Sequence, residues 1–143
     1  MNAVAAHYLH FLGLGLLFAC LSLELAMFKP SLNRRAARTL ARVDVAYGLA
    51  ALLMLVTGLL KMMEYGKGPG YYGHNFIFHI KLTVCVVIFL LAVFPSFKFM
   101  RTTEGDTITY PTWIGTLLRL EMALLVIVPL LGVLIAQGYG YTD

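Results

Sequence analysis

The chain has 143 residues, of which 60% are hydrophobic and 13% charged. A soluble domain carries about twice that charge, and a mean hydropathy of +0.82 excludes an ordinary water-soluble globule. The formal net charge of +4 does not indicate nucleic-acid binding, because the basic residues flank apolar stretches, where membrane orientation accounts for them.

The apolar residues fall in four blocks, at about 4–28, 45–64, 76–98 and 113–137. Each is long enough to cross a hydrocarbon core of ~30 Å, which takes roughly 20 helical residues. The first block has no Lys or Arg before it and is too long for the apolar core of a secretion signal, so it reads as a retained helix. It carries His7, His10, Cys20 and Glu24. Pro30 follows it and stops it. The first connection holds Lys29, Arg34, Arg35, Arg38 and Arg42. Asp44 is read as lying at the start of the second span, where a carboxylate suits the positive end of a helix. Tyr47-Gly48 and Thr57-Gly58 in that span let a neighbouring helix approach closely. Lys61 and Glu64, three apart near its end, could pair along the helix.

The second span ends at the breaker Gly66-Lys67-Gly68-Pro69-Gly70. Tyr65, Tyr71 and Tyr72 beside it suit an interfacial aromatic belt. Asn75 is placed to cap the third helix, which opens with His79 and Lys81. Pro95 is expected to bend that helix. The third connection carries Lys98 and Arg101, partly offset by Glu104 and Asp106. Thr112 is a candidate cap for the fourth helix, Trp113 an interfacial residue, and Pro129 a tolerated kink. Arg119 and Glu121 lie one to two turns into it.

Lys and Arg concentrate in the first and third connections, which places those on the cytoplasmic side and both termini outside. The expected fold is an all-α, four-transmembrane-helix bundle, one membrane domain over residues 1–143. Cys20 and Cys85 fall inside spans with no zinc or redox spacing and read as small packing residues. There is no phosphate-binding glycine loop, no nucleophile–histidine–carboxylate set and no metalloprotease motif.

Imidazole inside a membrane bundle is costly without a partner. His10 and His79 sit near the outer ends of two spans, and two histidines facing each other across helices could hold a haem iron axially. His7, three residues before His10 and on the same face, is the alternative ligand, and His74 in the outer loop could touch a propionate. Lys81 is two residues from His79 and points elsewhere; it either snorkels to the headgroups or pairs with an acidic group. Glu24 and Arg119 are expected to form a buried ion pair, with Glu121 beside it, as structure or as a proton relay. Met62 and Met63 could offer soft ligands to Cu(I), but adjacent methionines diverge on a helix, and Met54 does not complete a site.

Arg42-x-Asp44-x-x-Tyr47-Gly48, Thr57-Gly58, Gly66-Lys67-Gly68, Tyr71-Tyr72 and Lys81-Leu82 resemble a bacterial family of small integral membrane proteins of unknown function. More distantly, Tyr8-Leu9-His10-Phe11 and Phe78-His79-Ile80-Lys81-Leu82 resemble the HemJ-type protoporphyrinogen oxidases, small membrane proteins that bind b-type haem. The copper-resistance D-type membrane proteins share a similar bundle. The first resemblance implies a four-helix protein of the bacterial cytoplasmic (inner) membrane, and the Lys and Arg distribution then puts its termini on the periplasmic side. The second implies haem b on His10 and His79, Lys81 at the matching lysine, and a porphyrin or quinone as redox partner. A non-catalytic accessory subunit and a copper or small-solute transporter remain alternatives. Four spans are few to enclose a haem, so a homodimer or larger membrane complex is an expected setting.

Overall fold

In the computed structural model, which describes residues 2–101 and 105–142, helix α1 spans Ala3–Met27. Strand β1 (Ser31–Asn33) leads into α2 (Arg34–Leu60), which continues as a π-helical turn, Lys61–Tyr65. A short helix α3 (Pro69–Gly73) precedes α4 (Phe76–Arg101), strand β2 (Thr107–Thr109) and α5 (Trp113–Ala136). Four of these helices are long and apolar enough to cross a membrane, as the sequence predicts.

Local chemistry sets most boundaries. Asn2 Oδ1 accepts from the Ala5 amide at 2.9 Å and Asn33 Oδ1 from the Ala36 amide at 2.8 Å, so each caps its helix. Asn75 Oδ1 accepts from the Phe78 amide at 2.9 Å and caps α4 as expected, while its side-chain N–H donates to Tyr139 O at 3.0 Å. Thr112 occupies the cap position of α5, but its side chain makes no capping bond.

Two boundaries differ from the sequence reading. Helix α2 starts at Arg34 rather than near residue 45. The arginines therefore ride on its first turns, and Asp44 lies inside the helix instead of at its positive end. The Asn33 cap fixes this earlier start. Helix α4 runs on through Pro95 to Arg101. Glu104 lies outside the described residues.

Each membrane-length helix has its backbone close to two others, in the cyclic order α1, α2, α4, α5, so α1 faces α4 and α2 faces α5 across the diagonals, where among the described residues only side chains such as Tyr47 and Glu121 meet. One end of the bundle carries the basic connections and is closed by the β1/β2 pair, in register Ser31 with Thr109, Leu32 with Ile108, and Asn33 with Thr107. These strands were not expected from the sequence. Phe99 is buried there, with its ring centroid 6.3 Å from Phe28 and 5.4 Å from Tyr110. Burial pushes the Tyr110 hydroxyl above its ordinary pKa, so it stays neutral.

At the opposite, tyrosine-rich end, Tyr71 stacks on Tyr141 with centroids 5.0 Å apart. Lys67 Nζ donates to Ala136 O at 3.1 Å, satisfying a terminal helix carbonyl. Gly140, at φ +78°, passes so close to Ile77 that any side chain would collide. The two ends pack unequally. Leu21, Leu40, Phe99, Ile108, Ile114 and Leu118 are fully enclosed at the basic end, whereas α4 buries no residue before Ile88.

Phe99→Ala is expected to cost about 3–5 kcal/mol of stability by leaving a cavity in a packed site. Phe94→Ala on the exposed face of the same helix should cost far less. Thermal unfolding of both variants in one detergent checks this.

Candidate functional site

The polar side chains of the spans gather in two tiers. At the tyrosine end, His10 on α1 and Thr57 on α2 meet, with 2.9 Å between His10 Nδ1 and Thr57 Oγ1. Thr57 is buried and its hydroxyl lies 2.7 Å from Leu53 O, the back-bond that a threonine in a helix makes to its preceding turn. A hydroxyl has one proton to give. With that proton on Leu53 O, Oγ1 can only accept from His10. On that assignment the proton of the neutral ring sits on Nδ1, and Nε2 is the free nitrogen. Sequence reasoning missed Thr57 in this role and placed it only among small packing residues.

Two lysines share this tier. Lys81 reaches from α4 toward α5, where a Cβ on Gly132 would lie 3.4 Å from Nζ. Lys61 Nζ lies 6.0 Å from the centre of the Phe11 ring. Both are within electrostatic range of His10. Neither has a carboxylate partner among the described residues. The expected Lys61–Glu64 pair is not formed: the π turn of residues Lys61–Tyr65 is wider than an α turn, and it removes the three-residue alignment the pair needs.

The other histidines do not join this group. His79 is exposed, and its Nε2 lies 3.0 Å from Gly73 O. Lys81, two residues on, faces the interior instead. His7 Nδ1 bonds Ala3 O at 2.7 Å and His74 Nδ1 bonds Gly70 O at 2.9 Å, both within their own turns. Met63 is exposed, so Met62 and Met63 do not form a joint face. Among the described residues, no group of three His, Cys, Asp or Glu side chains is arranged to hold a metal ion.

The second tier lies toward the basic end. Glu24 on α1, Asp44 on α2 and Glu121 on α5 are buried and within electrostatic range of one another. Tyr47 donates to Glu121 Oε2 at 3.4 Å, and Ser96 on α4 donates to Asp44 Oδ1 at 2.7 Å. The expected Glu24–Arg119 ion pair is absent, because Arg119 is exposed. Residues 119 and 121 are separated by about 200° around a helix of 3.6 residues per turn, so turning Glu121 inward turns Arg119 outward. Between the tiers, Leu17, Ala50, Ile88, Leu125 and Val128 form a buried apolar belt.

This is a four-helix bundle of membrane-spanning length whose interior alternates a basic-imidazole tier, an apolar belt and a carboxylate tier. Residues 2–140 match the family described as "Predicted membrane protein (DUF2214)", and the chain belongs to that family. No curated protein and no solved structure matches it.

Thr57→Val should destabilise the protein by about 1–3 kcal/mol, because His10 Nδ1–H loses its acceptor in a site with little water to replace it. Thr57→Ser, which keeps the hydroxyl, should recover most of that loss. Arg119→Gln should stay within about 0.5 kcal/mol of the parent, as an exposed substitution does. Unfolding midpoints of the three variants decide the matter.

Proposed function

We propose that this chain is an integral membrane haem b-binding redox protein with His10 as an axial ligand. The observation that carries the reading is the hydrogen bond from His10 Nδ1 to Thr57. Ligating histidines characteristically donate their other ring nitrogen to an oxygen, which fixes the tautomer and raises the basicity of the free nitrogen. With Nδ1 engaged by Thr57, the nitrogen of His10 left for a ligand is Nε2.

The surroundings suit the group in two further respects. Lys61 and Lys81 offer unpaired cations to the acidic side groups of a porphyrin. The outer half of α4 buries no residue before Ile88, so its side chains there are not locked in a packed core. His79 fits less well: it is exposed on α4, which does not pack against α1, and with Nε2 held at the Gly73 carbonyl only its Nδ1 would be free to ligate. Bound haem would supply one-electron chemistry. The chain's own residues would orient an imidazole, neutralise acidic groups and enclose the site in apolar surface. The partner would be a quinone acting as electron acceptor, or a porphyrinogen as in the HemJ-type oxidases. The location would be a bacterial inner membrane with the tyrosine end facing the periplasm, since the basic connections mark the opposite side.

The test is an optical spectrum of the full chain purified in mild detergent, oxidised and then reduced with dithionite. A Soret band with sharp reduced α and β bands is expected, abolished in His10→Ala and broadened in His79→Ala. A protein that stays colourless after haem is added would contradict the reading and favour a non-catalytic accessory subunit.

A further inference from the structure

We propose that Glu24, Asp44 and Glu121 form an exchangeable proton-binding site in the half of the bundle at the basic end, distinct from the His10 tier. The three carboxylates come from three different helices, and the fourth, α4, contributes the Ser96 hydroxyl. Glu24 and Glu121 are each only 1% exposed. One oxygen of each, Oε1, has no hydrogen-bond partner. An ionised carboxylate accepts hydrogen bonds and offers none, so a buried oxygen left bare is costly. Two such oxygens in one cluster point to something that binds there.

The surrounding groups narrow its chemistry. Facing the cluster are Cys20 from α1, Tyr47 from α2 and Ser96 from α4. None is a cation. Arg42 and Arg119 are exposed, and among the described residues none of the three carboxylates forms an ion pair. Three carboxylates in electrostatic range of each other cannot all be charged in such surroundings, so the cluster holds protons jointly rather than residue by residue. A proton meets the chemical need: it removes the charge from a buried carboxylate and turns one bare oxygen into an O–H donor. A hard cation would need about six or more oxygens, and the acids are not arranged as a metal site.

The step is a plain acid–base exchange, in which a carboxylate takes a proton from water and returns it. No electron moves and no other bond changes. The apolar belt of Leu17, Ala50, Ile88, Leu125 and Val128 separates this site from His10.

Infrared spectroscopy of the full chain in liposomes, stepped through pH in light and heavy water, tests the proposal. A protonated-carboxyl C=O band is expected at neutral pH, downshifted in heavy water and fading as pH rises. It should be lost or strongly reduced in Glu24→Gln and in Glu121→Gln, and kept in Glu64→Gln, which alters an exposed acid. Tyr47→Phe removes the donor to Glu121 and should shift the band, giving a readout if either glutamine variant misfolds. The proposal is overturned if no such band exists at neutral pH, if the band survives both glutamine variants, if it ignores pH, or if sodium at fixed pH removes it.

Discussion

Hydrocarbon offers no hydrogen-bond partner, so a polar side chain on a membrane-length helix must find one inside the bundle. That constraint organises the molecule. Its sharpest expression is the Thr57 hydroxyl, whose single proton goes to its own helix and whose oxygen holds His10 from the next one. The contact ties α1 to α2 at the tyrosine end, where apolar packing is thin. At the basic end the equivalent ties are Tyr47 to Glu121 and Ser96 to Asp44, embedded in a dense core around Leu21, Leu118 and Phe99.

The two ends therefore differ in kind. The basic end is closed by an aromatic cluster and a pair of short strands, and its acids face one another. The tyrosine end is held by backbone-directed bonds from Lys67, Tyr71 and Asn75, and the half-buried charges there, Lys61 and Lys81, are cations. Imidazole and lysine lie in one half of the bundle and carboxylates in the other, so the two proposed sites fall at two levels. The belt from Leu17 to Val128 keeps those levels apart.

Much of the fold was legible in the sequence, because hydrocarbon thickness sets span length and each apolar block meets it. Pro30 and Asn75 mark real boundaries for local reasons. The early start of α2 was not legible: a run of arginines reads as a connection, and only the Asn33 cap betrays the helix beneath it. The site was legible in part. His10 and Lys81 do face the interior of one tier. His79 does not, since depth along a helix says nothing of which way a side chain points. Glu24 and Arg119 have opposite charge but not the right helical phase: with Glu121 turned inward, Arg119 two residues before it cannot share that face. Thr57 as the partner of His10 is a contact across 47 positions, which no local pattern reveals.

The most direct test of the central claim is the protonation state of the His10 ring, read by nitrogen NMR on histidine-labelled protein in lipid near neutral pH, with His10 assigned by its loss in His10→Gln. The account predicts a neutral ring protonated at Nδ1, with Nε2 unprotonated and shifting when haem is added. A ring protonated at Nε2, or at both nitrogens, would contradict it.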